Sequence, residues 1–270
     1  MVSTIAKAPK YLYYIGNLPE HRRPTVAIIG TRKPTAYGRQ VTEMFASQLA
    51  SKGIVVVSGL ALGVDAIAHQ ATLDAGGTTI AVLANALPDI RPMTNRYLGE
   101  QILAKGGAII SEMDETKPLG KWSFLERNRI VAGIADAILV TEASSRSGTL
   151  STTARALEQG KDVFVIPGNI TSPASAGCNA LLKQGAIPVT EVEDILERIA
   201  PTLITPQTRL ALGTTDAEVA ILTQLSAGLR DGDEIQRITG LDPSEMNMTL
   251  TMLEINSAIK SLGANQWTLR

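Results

Sequence analysis

The stretch GTRKP, residues 30–34, sets two cations, Arg32 and Lys33, just after an apolar run, VAII, that ends on Gly30 and Thr31. A glycine at a strand end lets the backbone approach a ligand, and arginine offers a planar fork of donors matched to a phosphate. Three more segments share this character. SGLALGVD (58–65) opens on Ser58 and Gly59, EASSRSGTL (142–150) holds Ser147, Gly148 and Thr149, and PGNITSPASAGCN (167–179) is again rich in glycine and hydroxyls. A fifth, KWSFLERNRIVAG (121–133), places Trp122 and Phe124 before Arg127, Asn128 and Arg129. Guanidinium groups grip phosphodiesters, and aromatic rings stack on bases whatever their identity.

The elements that must hold these segments follow from the apolar pattern. Short β-branched runs recur at 26–30, 54–59, 78–84, 107–112, 137–143 and 162–168, continuous rather than alternating, as strands buried on both faces read. Helical spacing lies between them. Strand and helix in alternation predict an α/β, doubly wound, extended Rossmann-like domain with a mostly parallel sheet over 26–200, after a lead-in segment at 1–25. In such sheets ligands bind beyond the carboxyl ends of the strands, where the first four of these segments fall. Arg127 and Arg129 are expected near the start of a helix, where cations oppose the macrodipole. Either Glu126 and Glu112 pair with them or an external anion does, and a role in tying loops together is the alternative for each arginine.

A linker is expected at 201–214 and a small winged-helix-like domain at 215–270. Its elements are the helical patterns DAEVAILTQLSAG, DGDEIQRITG and LDPSEMNMTLTMLEIN, the last capped by Asp242 with Pro243 in its first turn, and a hairpin in AIKSLGANQWTL. The third helix carries Asp242, Glu245 and Glu254 and no Lys or Arg. It would meet a phosphate-lined groove with the wrong sign, so a protein contact, within a dimer or with a partner, is expected there in place of duplex reading, with a passive cap that completes the fold as the alternative.

Composition narrows the classes further. The chain has 270 residues, 44% of them hydrophobic, enough for a sizeable core. Residues 1–200 carry 20 Lys+Arg against 18 Asp+Glu, and residues 201–270 carry 5 against 8, so the first part is +2 and the second −3. Binding to a polyanion should therefore be local and confined to the first part. No apolar run approaches the roughly 18 residues of a membrane span, and MVSTIAKAPKYLYYIGN lacks the apolar core of a secretion signal, so a cytoplasmic protein is expected. The single cysteine, Cys178, excludes an intrachain disulfide, and with only His21 and His69 beside it no metal site is expected. No cofactor is expected either: Arg32 fills the place of the second glycine of a dinucleotide fingerprint, and no GxxxxGK[ST] loop occurs.

In PKYLYYIGN, GTR, SGLALGVDAIAH, ERNRIVAG, EASSRSGTLSTTARALEQGKDVFVIPG and GCNALLKQGA, taken in order and spacing, the chain resembles the DNA-processing protein A family (DprA, also called Smf). The resemblance covers nearly all of the sequence. It implies a non-enzymatic protein that binds single-stranded DNA, loads a RecA-type recombinase onto it during natural transformation, and works as a homodimer. It also implies that Arg32 grips a DNA phosphate, with Gly30, Thr31 and Lys33 around it. Ser58, Gly59, Phe124, Arg127, Asn128, Arg129, Ser147, Gly148 and Thr149 would line the same pocket. The long N-terminal helical domain of some relatives is not expected ahead of the first strand.

Three positions depart from the family pattern: Leu62 where many relatives have a basic residue, Leu125 in place of proline, and Arg91 where tyrosine is common. Among the few aromatic residues, Tyr37, Tyr97, Trp122 and Phe124 lie closest to strand ends and are the candidates for stacking, though each suits a core equally. A rival reading is a phosphoribohydrolase-like enzyme acting on nucleoside monophosphates through Glu142 or Glu112 near Arg32. The paired glycines of PGGxGT in those enzymes are missing here, where PGN stands at 167–169.

Overall fold

The computed structural model describes residues 7–114, 119–145, 147–203, 215–255 and 258–269. They fall into two compact units, Met1–Ile204 and Thr205–Arg270. The first is an eight-stranded sheet: β1 (Tyr13–Gly16), β2 (Thr25–Ile29), β3 (Val55–Ser58), β4 (Thr79–Leu83), β5 (Ala108–Ser111), β6 (Ala137–Val140), β7 (Asp162–Val165) and β8 (Ile187–Pro188), in the order β1-β5-β4-β3-β2-β6-β7-β8. All neighbours are parallel except β1, which runs antiparallel to β5 with Tyr13 opposite Ser111. The helices are α1 (Ala36–Ser51), α2 (Val64–Asp74), α3 (Arg96–Ala104), α4 (Lys121–Ile134), α5 (Thr149–Glu158), α6 (Ala176–Lys183) and α7 (Glu193–Ile199).

Each apolar run of the sequence becomes a strand because helices cover both faces of the sheet. On β2, Val26 and Ile28 pack with Val41, Phe45 and Leu49 of α1, while Ala27 and Ile29 pack with Ile130 and Val131 of α4. The chain leaves β2 through β3, β4 and β5 on one side and returns to β6 on the other. The crevice at the carboxyl ends of β2 and β6 is thus the topological switch point, where open sheets of this kind bind ligands.

Two features differ from the sequence reading. The sheet takes in Tyr13–Gly16, within the segment read as a lead-in. This four-residue antiparallel edge strand leaves Tyr13 and Tyr14 exposed, so it lacks the continuous apolar run that marks the inner strands. Helix α4 begins at Lys121, which puts Arg127 and Arg129 beyond its first turn. The macrodipole acts mainly over that first turn, so the expected conflict with these cations does not arise.

The second unit packs α8 (Asp216–Ser226), α9 (Gly232–Thr239) and α10 (Pro243–Ile255) with a hairpin of β9 (Ile259–Gly263) and β10 (Gln266–Leu269). Ile221, Leu222, Ile235, Leu250, Leu253 and Ile259 form its core. Asp242 Oδ1 accepts from the amides of Ser244 (2.8 Å) and Glu245 (3.2 Å), as a cap at that position should. Most of the stretch read as a linker, 204–214, lies outside the described residues, and Pro201–Leu203 form a short 3-10 turn.

Buried polar groups tie the first unit's stability to pH. The Thr79 hydroxyl gives its proton to Val56 O (2.8 Å), so at 2.6 Å from His69 Nδ1 it accepts, which places the imidazole proton on Nδ1. Nε2 is buried without a hydrogen-bond partner among the described residues. Burial, with a smaller push from the Arg127 charge, lowers the His69 pKa from 6.5 to about 3. A folded pKa below the unfolded one means that unfolding takes up a proton as pH falls below about 6.5, and stability is lost by about 1.4 kcal/mol per pH unit. Asp65, raised by burial, acts in the opposite sense. The comparison is therefore with His69→Gln: between pH 7 and pH 5 wild type should lose about 2 kcal/mol more in urea unfolding than the variant. Equal losses would show that His69 does not titrate on unfolding.

Candidate nucleic-acid interface

The switch point opens into a cavity of about 430 Å³ built from five parts of the fold. The end of β2 supplies Gly30, Thr31 and Arg32, the loop after β3 supplies Gly59 and Ala61, and the first turn of α2 supplies Asp65. One side of α4 gives Phe124, Leu125, Arg127, Asn128 and Val131, and the start of α5 gives Ser147, Gly148 and Thr149. Most of the residues singled out in the sequence converge here, from segments far apart along the chain.

Close approach explains the two glycines. A Cβ on Gly30 would lie 2.6 Å from Val64 Cγ2 and 2.9 Å from Glu142 O, and one on Gly59 would collide with the Arg127 guanidinium. The loop that follows is rigidly held. Leu60 sits at φ +56°, a conformation costly for a bulky residue, with its side chain fully buried. Asp65 Oδ2 accepts from the amides of Gly59 (3.1 Å) and Ala61 (3.3 Å), and Asn95 Nδ2 donates to the carbonyls of Leu60 (2.8 Å) and Ala61 (3.1 Å).

The two arginines of the cavity have different standing. Arg127 is buried, and its Nη1 donates to Gly59 O (2.5 Å) and Val82 O (2.7 Å) while Nε reaches Asn128 Oδ1 (3.3 Å). Burial lowers its pKa, the Asp65 charge raises it, and Arg32 lowers it further. For Asp65, burial raises the pKa and Arg127 opposes that shift. The pair is mutually compensating. Arg32 is exposed and has no hydrogen bond or ion pair among the described residues; its Cζ stands 5.8 Å from the centroid of the Phe124 ring. A cation–π contact thus orients a guanidinium whose donors remain unused. Two arginines against one carboxylate leave the cavity's lining at +1.

The start of α5 contributes less than its position suggests. Thr149 N–H donates to Ser147 Oγ (3.2 Å), Leu150 N–H to Ser147 O (3.2 Å) and Ser151 N–H to Gly148 O (3.1 Å), so these amides are satisfied locally. The anion-binding strength of the cavity rests on Arg32 and the partly free Arg127.

Three residues read as site members from the sequence stand apart. Ser58 is fully buried and donates to Ile28 O (2.6 Å), a bond between neighbouring strands. Arg129 is buried and paired with Glu112 and with Glu126 (2.9 Å), the internal compensation that the sequence left open. Lys33 is exposed beside the cavity without lining it. Of the four aromatic candidates only Phe124 lines the cavity: Tyr37 donates to Pro167 O (2.7 Å) over a different pocket, Tyr97 is exposed on α3, and Trp122 is half-exposed on α4. Asp65 was missed. The acid at the end of SGLALGVD was its only trace in the sequence, and nothing there shows that it reaches back to the loop.

The carboxylates of the rival enzymatic reading are committed elsewhere. Glu142 is buried, taking the Thr35 amide (2.8 Å) and hydroxyl (2.6 Å) at the start of α1, and Glu112 pairs with Arg129. Neither lines the cavity that holds Arg32.

Comparison with known proteins adds the family. The model of DNA recombination-mediator protein A matches residues 1–200, and that of the DprA winged helix domain matches residues 205–265. The chain belongs to the DNA recombination-mediator protein A family. Among relatives of this family, Protein Smf of Escherichia coli (strain K12) is 42% identical over 191 residues, 71% of this chain and 51% of the relative, so the chain spans about half of that protein. The X-ray structure of DNA processing protein A from Streptococcus pneumoniae matches at a TM-score of 0.68 and 39% identity, covering 73% of this chain and 69% of the other. DNA processing protein A from Helicobacter pylori, whose structure is described for its single-stranded DNA binding mode, matches at 0.65 and 35% identity, over 73% of this chain and 89% of the other. Family membership fits the two units seen here, an α/β sheet unit and a winged helix. No helix among the described residues is long and apolar enough to cross a membrane.

Proposed function

We propose that the cavity at the switch point holds a phosphodiester of single-stranded DNA and that the protein acts as a recombination mediator, binding DNA without transforming it. The observation that carries this is Arg32: exposed, without a hydrogen bond or ion pair among the described residues, and set over Phe124 at the mouth of a cavity with a second arginine. Guanidinium, hydroxyl and backbone groups bind phosphate and leave base edges unread, and an exposed ring stacks on any base. The likeness to a single-strand-binding relative supports the same ligand. Loading of a RecA-type recombinase and assembly into a homodimer belong to this reading through the family, since two linked sites on one strand raise avidity well above one.

The winged helix is read as a protein-contact surface. The exposed side of α10 carries Glu245, Glu254, Met248, Met252 and Ile255 and no Lys or Arg, which suits a protein better than a duplex.

A gel shift with single-stranded and double-stranded oligonucleotides of one length at two salt concentrations tests the central claim. Single strands should bind more tightly, without base preference and with a steep salt dependence. Equal affinity for the duplex would count against it, as would release of free base from nucleoside monophosphates at enzymatic rates. Light scattering on the eluting peak at micromolar protein should give a dimer.

A further inference from the structure

A second cleft of about 330 Å³ adjoins the first across a shared wall of Arg32, Gly59, Ala61, Phe124 and Arg127. Its chemistry is different. Beyond the wall it is lined mainly by apolar side chains, of which Leu62, Met93 and Leu119 are about half exposed (47%, 53% and 50%), with Pro92 beside them. Side chains of this size left open to water beside a polar cavity mark a surface that a ligand covers. The charged groups lining the cleft are Arg32, Arg127 and Arg91, and no carboxylate lines it among the described residues.

Arg91 is the group that the first cavity does not use. Its Nε donates to Asp89 Oδ2 at 2.6 Å and both partners are half-exposed, so the pair is a weak surface bridge, and neither Nη makes a hydrogen bond among the described residues. The cleft's side-chain amide, Asn85, is already taken: Nδ2 donates to Ala86 O (2.9 Å) and Asp89 O (2.6 Å). It is poorly placed to read base edges. An apolar slot with cations at its wall and mouth, whose one side-chain amide has its Nδ2 donor already engaged, fits a flat apolar body flanked by anionic groups.

We propose that this second cleft receives the nucleobase next to the phosphate held by Arg32, and that Arg91 holds the following phosphate. The inference rests on the single-stranded DNA reading of the first cavity and extends it to a two-nucleotide footprint. The strand passes over the Arg32–Phe124 wall, its base enters between Leu62, Pro92, Met93 and Leu119, and Arg91 meets the backbone as it leaves. Recognition there is tolerant of base identity, because the slot offers contact area and charge.

Fluorescence anisotropy with a dT dinucleotide and a dT strand of roughly 12 nucleotides, using wild type, Arg91→Ala, Leu62→Ser/Met93→Ser and Arg32→Ala, tests the proposal. All of these side chains are exposed, and a circular dichroism melt checks that each variant folds. Arg91→Ala should weaken binding of the longer strand about tenfold and flatten its salt slope by about one, with little effect on the dinucleotide. An abasic site moved along the longer strand should cost wild type about tenfold at one position, and that penalty should vanish in Leu62→Ser/Met93→Ser. If Arg91→Ala and the double variant bind both lengths as wild type does while Arg32→Ala fails, the cleft is unused and the first-cavity reading stands. If Arg32→Ala also binds normally, the phosphate reading itself is wrong and this proposal falls with it. Displacement of the longer strand by free thymidine monophosphate at comparable affinity would make the cleft a mononucleotide site and overturn the proposal as stated.

Discussion

Replacing Arg32 by alanine is expected to weaken single-stranded DNA binding roughly tenfold to a hundredfold, the range set by about 1.5–3 kcal/mol for hydrogen bonds to a charged group. The loss should be the same for every base sequence, because a guanidinium fork on a phosphate reads no base. The slope of log K against log salt should flatten by about one unit, since one phosphate contact no longer releases its counterion. Arg32→Lys should recover part of the affinity, as the charge returns without the fork or the same hold on the Phe124 ring. Folding stability should be unchanged, for Arg32 is exposed and unpaired and touches the protein mainly through that ring. Filter binding across a salt series with a matching urea melt is sufficient. Unchanged affinity and slope in a folded variant would make this arginine a bystander.

Arg127→Met should behave in the opposite way, losing roughly 2–6 kcal/mol of stability, since two buried carbonyls lose their donor at about 1–3 kcal/mol each and the buried Asp65 loses a nearby opposite charge. Asp65 would stay buried without its counter-charge, and the carbonyls of Gly59 and Val82 would lose the donor now at 2.5 and 2.7 Å. Adding Asp65→Asn in the Arg127→Met background should restore part of the loss, because the neutral amide removes the stranded charge. Urea unfolding of the two singles and the double measures the coupling directly. Additive effects would show that the two side chains do not compensate one another. DNA affinity should also fall in Arg127→Met, but at temperatures well below its melt by less than in Arg32→Ala, since most Arg127 donors are already engaged inside the protein.

These contrasts mark what was legible along the chain. The inner strands announce themselves because burial on both faces demands unbroken apolar runs, and the order of the runs implies the crossovers. The switch-point location follows, and with it the clustering of GTR, SGL and SGT. Two identical residue types in one motif, RNR, could not be told apart: a helix turns about 100° per residue, so Arg127 and Arg129 point to different surroundings, one to the cavity wall and the other to Glu112 and Glu126. Ser58 misled for a related reason, since the last residue of a buried strand has its side chain on whichever face the pleat dictates, and here that face meets Ile28 O.

By itself the sequence determined the class of fold, the strand ends that gather at one crevice and the residue types, arginine, glycine and hydroxyl, available there. Those properties are local, set by burial pattern, backbone freedom and charge. Only the tertiary structure decided which charges are spent inside the protein and which are left for a ligand. Compensation depends on distance across the fold, as when the Asp65 and Arg127 charges favour one another, Thr35 takes up Glu142 and Arg32 is left without a hydrogen bond or ion pair among the described residues.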